Sequence, residues 1–400
     1  MTRLLLRPDR FVAGGDAMAR DDSGRVVFVR GAAPGETVEA ELLTAKADWA
    51  RAATVVVVDA APGRVTPPCP SRRAGCGGCG WQHLTIDAQR AARVDIVADA
   101  LRRTGGVQSP VVDHGGRVAA ERYRTTVRVV GDVQGRPGFR AEGAHDVVAA
   151  PDCLVAHPVL ADLLPSLRLD AGVELTLRVS VATGALAARW DRAAGDVHGL
   201  PAGVEVGASA VLEEDVAGRR LRVSMGSFFQ SGPAAAELLV DAVRRAAPEL
   251  DDAGLVVDAY SGVGMLAACA TAPPTRVIAI ETSRPAVADA RHNLRDRAAE
   301  IVRGEVGGWR PGTDDPIDVV IADPARSGLG KPGVHAVART GTPVVVLVSC
   351  DAASLARDAR LLAGAGYRHV RTEVVDTFPH TTHVETVTRF DHTASTTAVR

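Results

Sequence analysis

Lysine is almost missing from this chain of 400 residues: Lys46 and Lys331 are the only two, so 44 of the 46 basic side chains are arginine. Asparagine occurs once, at Asn293. This bias is that of a GC-rich genome, so a single arginine carries no functional message by itself. No run approaches the ~20 uninterrupted apolar residues of a membrane span, which argues against a membrane partner. The first residues, MTRLLLRPDRF, lack the apolar core of a secretory signal, and the expected location is the cytoplasm. With 46% hydrophobic and 24% charged residues the balance is that of an ordinary globular protein. At roughly 150 residues per domain, the length predicts two or three domains, with a monomer as the default assembly.

Charge is unevenly spread. Residues 61–140 carry 13 basic and 6 acidic side chains, within a chain whose formal net charge is −2. A basic middle of this kind is either a footprint for a polyanion or arginine drift on a solvated face. Before it, RVVFV, ETVEAEL and ATVVVVDA read as short strands between turn signals, which predicts an OB-like β-barrel over 1–60. Helical spacing returns over 87–103, and a mainly antiparallel β segment is expected across the rest of 61–230. From 231 to 400 the rhythm becomes helix, apolar strand, helix. Unbroken runs such as LVVDAY, RVIAIE, DVVIADP and PVVVLVSC indicate an α/β domain with a doubly wound, Rossmann-like parallel sheet. A helix is expected over 284–298, and the last ten residues read as a loose tail.

In VVDAYSGVGMLAA a strand ends at Asp258, turns through Gly262 and Gly264, and opens a helix. Glycines there permit a tight turn and leave room for a ligand at the helix start. The third glycine of a dinucleotide fingerprint is missing. The short D-x-x-x-G-x-G looks like the S-adenosylmethionine loop of class I methyltransferases, and Glu281, at the end of the next strand, is placed to accept ribose hydroxyls. Asp323 and Cys350 end two further strands, where open α/β sheets bind ligands. Cys350 precedes a helix with Asp351 or Ser354 as cap, so the helix dipole is expected to favour its thiolate. Cys269, inside an alanine-rich helix, reads as inert.

Cys69, Cys76 and Cys79, with Cys153 far downstream, account for four of the six cysteines. Disulfides are a poor explanation in a chain without an export signal. Four thiolates suit Zn²⁺ or an iron–sulfur cluster, and a 3 + 1 arrangement on one glycine-rich loop favours a [4Fe–4S] cubane over zinc.

Taken in order, the motifs resemble those of the TRAM-domain-bearing RNA uracil-5 methyltransferases over nearly the whole chain. GDAMARDDSGRVVFVRGAAPGETVEAEL looks like the TRAM barrel, and CPSRRAGCGGCGWQH plus Cys153 like the family's iron–sulfur signature. MGSFFQSGP resembles its Phe-Gln cofactor motif, VSCDAASLARD the stretch around its nucleophile, and FPHTTHVETV the segment around its base. The resemblance implies an S-adenosylmethionine-dependent enzyme acting on ribosomal or transfer RNA. It assigns cofactor contacts to Gln230, Tyr260, Glu281 and Asp323, with Glu305 near the adenine. Cys350 would be the nucleophile that adds to carbon 6 of uracil, and Glu385 the general base that removes the carbon 5 proton. The TRAM barrel and the basic segment would hold RNA, with the target uridine flipped out or in a loop. Three departures stand out: Ser231-Gly232 where the family has asparagine, Met265 where a polar contact is common, and Asp351 after Cys350 instead of asparagine. Two other readings remain, a small-molecule methyltransferase of the same fold and an inactive RNA-binding or redox-sensing relative.

Overall fold

The computed structural model describes residues 2–312 and 315–394. In the N-terminal unit six strands run in the order Arg3–Leu6, Thr37–Ala45, Trp49–Asp59, Val26–Arg30, Ala17–Arg20, Arg10–Phe11. Only Val26–Arg30 and Trp49–Asp59 pair in parallel; the other neighbours are antiparallel. Burial alternates along Val26–Arg30, so Val27 and Val29 point into a small core with Leu6, Val38, Ala40 and Ala52. That is the period-2 pattern the sequence shows.

A second six-stranded sheet orders Val147–Ala149, Pro137–Arg140, Thr126–Gly131, Glu174–Val179, Leu186–Arg189 and Glu205–Val206, antiparallel except for the last pair. Leucines 160, 164, 167, 169, 175 and 177 fill the core beneath it. A hairpin, Val211–Val216 with Arg219–Ser224, leads toward the C-terminal unit.

The third sheet has eight strands: Ala299–Arg303, Arg276–Glu281, Leu255–Ala259, Val319–Ala322, Val344–Ser349, Thr386–His392, Tyr367–Asp376 and Val112–Arg117. The first five are parallel, and all side chains of Leu255–Ala259, Val319–Ala322 and Val344–Ser349 are buried. Valine-rich runs covered on both faces produce this. Thr386–His392 inserts antiparallel between Val344–Ser349 and Tyr367–Asp376, an arrangement the simple strand–helix alternation does not foresee. Val112–Arg117 then adds a parallel edge from far upstream. Helix Ile86–Arg103 starts at Thr85, whose hydroxyl accepts from Ala88 N at 3.3 Å. Its Ile96, Val97 and Leu101 pack with Leu355, Ala359 and Leu362 of helix Ala352–Gly364, so part of the 61–230 segment covers the C-terminal sheet.

The helix expected over 284–298 stops at Asn293. The Asn293 side chain donates to Arg222 O and Val263 O and accepts from Arg222 N, which ties the helix end to the hairpin and to the turn after Leu255–Ala259. The chain then turns into strand Ala299–Arg303. Of the expected C-terminal tail, residues 391–392 complete a strand, and 395–400 lie outside the described residues. No helix among the described residues is long and apolar enough to cross a membrane.

Candidate active site

The carboxyl ends of the parallel strands form one rim. Asp258 is 1% exposed, and its Oδ2 accepts from Ala267 N at 2.9 Å, fastening the first turn of helix Met265–Ala270 to the strand. Its Oδ1 is buried with no partner among the described residues, which leaves an acceptor for a ligand. The turn between them is unusual in backbone. Tyr260, Gly262 and Gly264 all have left-handed φ, at 64°, 56° and 78°. For tyrosine this is strained, of the kind that persists where function demands it. At Gly264 a side chain would also press on the next helix, since a Cβ would stand 3.1 Å from Leu294 Cδ1.

Glu281 organises the same turn from the neighbouring strand. Its Oε2 accepts from Gly262 N at 3.0 Å, while Oε1 accepts from Thr282 N and Ser283 N at 2.7 and 2.6 Å. Glu305 is exposed just beyond the end of Ala299–Arg303 on this rim, and its charge acts on Tyr260. Gln230 is buried in the loop before helix Pro233–Ala246. That loop is held by Ser231, whose Oγ donates to Thr377 O at 3.0 Å and whose carbonyl accepts from Thr125 N at 2.8 Å.

Two residues distant in sequence meet at the next two strands. Ser349 and Thr386 are antiparallel partners, with Thr386 Oγ1 donating to Ser349 O at 2.9 Å. Cys350 and Glu385 are therefore the next positions in register, at the same sheet end. Asp323, at the end of Val319–Ala322, faces both: its charge raises the affinity of Cys350 and of Glu385 for a proton. Burial pushes Asp258 and Asp323 each up to about 7. Glu385, 5% exposed, is pushed well above the usual carboxylate range by burial and by Asp323.

The expected thiolate is not the resting form. Burial, then Glu385 and Asp323, push the Cys350 thiol up to about 11, although Arg326 pulls the other way. Burial and two neighbouring carboxyls outweigh the end of helix Ala352–Gly364. The cap is as expected: Asp351 Oδ1 accepts from Ser354 N at 2.7 Å. Cys269 is 2% exposed in the alanine-rich helix, consistent with an inert core thiol.

The segment 377–384 that carries Glu385 into its strand is clamped by residues that sequence reasoning did not single out. Arg93, 1% exposed, donates to His383 O, Phe378 O and Thr381 O at 2.9, 3.1 and 2.7 Å, and pairs with Asp376 at 3.1 Å. Gln89 Oε1 accepts from His380 N at 2.7 Å, and Trp81 N donates to His380 O at 2.9 Å. Tyr123 Oη donates to Pro379 O at 3.1 Å. A signal was available: Gln89 and Arg93 stand four apart on the buried face of a helix, where polar groups need partners.

Cys69, Cys76, Cys79 and Cys153 line a single small cavity, apart from the rim, together with Arg124 and Gln82. Burial is the leading cause of raised thiol affinity for protons at Cys76, Cys79 and Cys153, with Cys79 pushed up to about 12 and each also feeling a neighbouring cysteine. Among the described residues no three of these or other ligand side chains stand close enough to hold a single metal ion. All four are free thiols.

Comparison with known proteins agrees with this architecture. The TRAM domain model matches residues 9–55. An uncharacterized RNA methyltransferase of Streptomyces avermitilis is 32% identical over 94% of both chains. A Halomonas elongata protein named 23S rRNA (uracil(1939)-C(5))-methyltransferase is 32% identical over 94% of this chain and 87% of its own. The crystal structure of a Pyrococcus abyssi tRNA (uracil-54, C5)-methyltransferase with S-adenosyl-L-homocysteine superposes with a TM-score of 0.71 at 22% identity, covering 96% of this chain and 99% of that one. The turn at Asp258, the doubly wound sheet and the N-terminal strands thus have one explanation: the chain belongs to the TRAM-bearing RNA uracil-C5 methyltransferases, a family of class I S-adenosylmethionine-dependent enzymes.

Proposed function

We propose that the protein methylates carbon 5 of a uridine in structured RNA through a transient bond between Cys350 and carbon 6. The observation that carries this reading is the register of Cys350 opposite Glu385, with Asp323 beside both. S-adenosylmethionine, when bound, supplies the methyl group as a sulfonium. Carbon 5 of uracil is a weak nucleophile; once the Cys350 thiol has given its proton to solvent, adding its sulfur to carbon 6 moves an electron pair toward carbon 5 and the carbon 4 oxygen. After methylation, Glu385 takes the carbon 5 proton, that C–H pair restores the double bond, and the S–C6 bond breaks to free the thiolate. Glu385 must be ionised to act, and once ionised its raised proton affinity makes it a stronger base for this task.

Asp258, Glu281 and Asp323 suit a cationic cofactor because three carboxyls share the rim, and binding a positive charge relieves their mutual repulsion. Gly262 and Gly264 leave room at the turn, and Tyr260, Gln230 and Glu305 would complete the set of residues that hold it. RNA is held by the TRAM sheet and the neighbouring surface. The basic segment contributes less than its composition promised: Arg72, Arg103, Arg122, Arg136 and Arg140 are all engaged by nearby carboxylates. The cytoplasm is the expected site of this reaction.

The four cysteines fit a [4Fe–4S] cluster better than zinc. All four share one cavity, and four thiolates on one cavity suit a cubane in which each serves a separate corner. Such a cluster would order residues 69–79 and tie them to Cys153. Iron and sulfide analysis of anaerobically purified protein tests this: four irons per chain, lost in Cys76→Ser, support it, and a stoichiometric zinc content refutes it. The function itself is tested by methyl transfer to RNA. Cys350→Ser should give no product, and Glu385→Gln should accumulate a protein–RNA adduct; full turnover by Cys350→Ser refutes the mechanism.

A further inference from the structure

A cleft of about 230 Å³ opens where three parts of the chain meet. Its walls are Gly14 to Asp16, Arg30 and Gly31 from the N-terminal sheet, Gly77, Gly78 and Gly80 from the cysteine loop, and Thr381 to His383 from the clamped segment before Glu385. The approach between these parts is close. A Cβ on Gly15, whose φ is already +89°, would collide with Thr382. The cleft is therefore a fixed neighbour of the catalytic rim, joined to it by Val384, the one residue between His383 and Glu385.

Its chemistry favours a base over a phosphate. Asp16 lines it, and among the described residues the Asp16 carboxylate has neither a hydrogen-bond donor nor a cation within pairing distance. Glu142 lines it too, though its carboxylate is taken by Arg72. Arg30 is the one arginine among the lining residues, and among the described residues its guanidinium makes a single hydrogen bond, to Glu142 O at 3.5 Å. His383 is pushed down to about 4, chiefly by burial, and is neutral. With Glu142 neutralised by Arg72, the cleft is left with a carboxylate acceptor, Asp16, beside a guanidinium donor, Arg30, and no excess of positive charge for a phosphate. The volume lies below the 300–1,000 Å³ of drug-sized ligand sites, which suits a single base. A carboxylate only accepts and a guanidinium only donates. The base edge that offers two adjacent donors beside an acceptor is that of guanine. Burial pushes Asp16 up while Arg30 and Arg51 draw it down, so a partner that donates to it is favoured.

We propose that this cleft receives one unpaired guanine adjacent to the target uridine, Asp16 accepting from its N1–H and N2–H groups and Arg30 donating to O6. The inference rests on the function proposed above and adds the recognition of a flanking nucleotide to it. Sequence-specific reading of RNA works on such unstacked bases. Buried polar groups left unpaired make such a site reject analogues strongly.

The test uses the full-length protein and a pool of stem-loop RNAs with one 5-fluorouridine in the loop and randomised neighbours. RNAs trapped on the wild type are sequenced. Guanine should be enriched at one flanking position. In the corresponding RNA with uridine at the target, replacing that guanine by inosine, which lacks the N2 amino group, should raise KM for methyl transfer roughly 5- to 100-fold, the usual range for a bidentate base contact. In Asp16→Ala the enrichment at that position should vanish while trapping continues. Trapping with no flanking preference, or a preference that Asp16→Ala leaves intact, overturns the inference and spares the proposed function. No trapping by the wild type overturns both. Thermal melting of Asp16→Ala beside the wild type separates a lost contact from a lost fold.

Discussion

Replacing Arg93 with methionine is the most informative perturbation away from the chemistry. The guanidinium is 1% exposed, and its partner Asp376 is 3% exposed. Methionine fills a similar volume but leaves the Asp376 carboxylate buried without its cation and three backbone carbonyls without their donor. Breaking a buried pair by removing one member costs about 3–5 kcal/mol. That is a large part of the ~5–15 kcal/mol that holds a domain folded. A fall in melting temperature on the order of 10 °C is expected. Methyl transfer measured well below the transition should also fall in kcat, because residues 377–384 set the position of Glu385. Adding Asp376→Asn to Arg93→Met removes the stranded charge. The double variant should then be more stable than the sum of the single effects by at least ~1 kcal/mol, the signature of a coupled pair. Arg93→Met melting within about 2 °C of the wild type, or strict additivity in the double variant, refutes this account of the clamp.

Stability against pH should report the buried rim. Asp258 binds its proton more tightly folded than unfolded, so its contribution is full below the unfolded value of about 3.8 and is lost as pH rises toward about 7. Asp258→Asn should flatten that part of the profile, by an amount on the order of 4 kcal/mol across the window; denaturant midpoints at pH 4, 5.5 and 7 read it. Because the Cys350 thiol is pushed up to about 11, kcat/KM for RNA should climb with pH between 7 and 9; a flat profile there contradicts a resting thiol. Gly264→Ala forces a side chain into a left-handed position against Leu294 and should cost at least ~1 kcal/mol. Calorimetry with S-adenosylhomocysteine should show weaker binding.

What was legible in the sequence follows from range of interaction. The turn through Asp258, Gly262 and Gly264 is local, and its strand, turn and helix are written within sixteen residues. The valine runs announce buried parallel strands for the same reason. The helix over 284–298 was overdrawn because the signal that ends it is Asn293 bonding to Arg222 and Val263, neither of them close in sequence. The order of motifs was enough to nominate Cys350 and Glu385, yet only the antiparallel insertion of Thr386–His392 explains why they meet. The protonation of Cys350 was misjudged because helix ends are visible in a sequence and the burial of Glu385 and Asp323 is not. The Arg93 clamp spans some 290 residues of chain.

The eighth strand of the catalytic sheet, Val112–Arg117, finds its neighbour only when Tyr367–Asp376 has been made. On a ribosome adding ~5–20 residues each second, some 250 residues separate them, a delay of roughly 10–50 s. Throughout that interval the apolar face of Ile86–Arg103 has no sheet to cover, so the earliest third of the newborn polypeptide keeps its core side exposed until the last part of the sheet has been made.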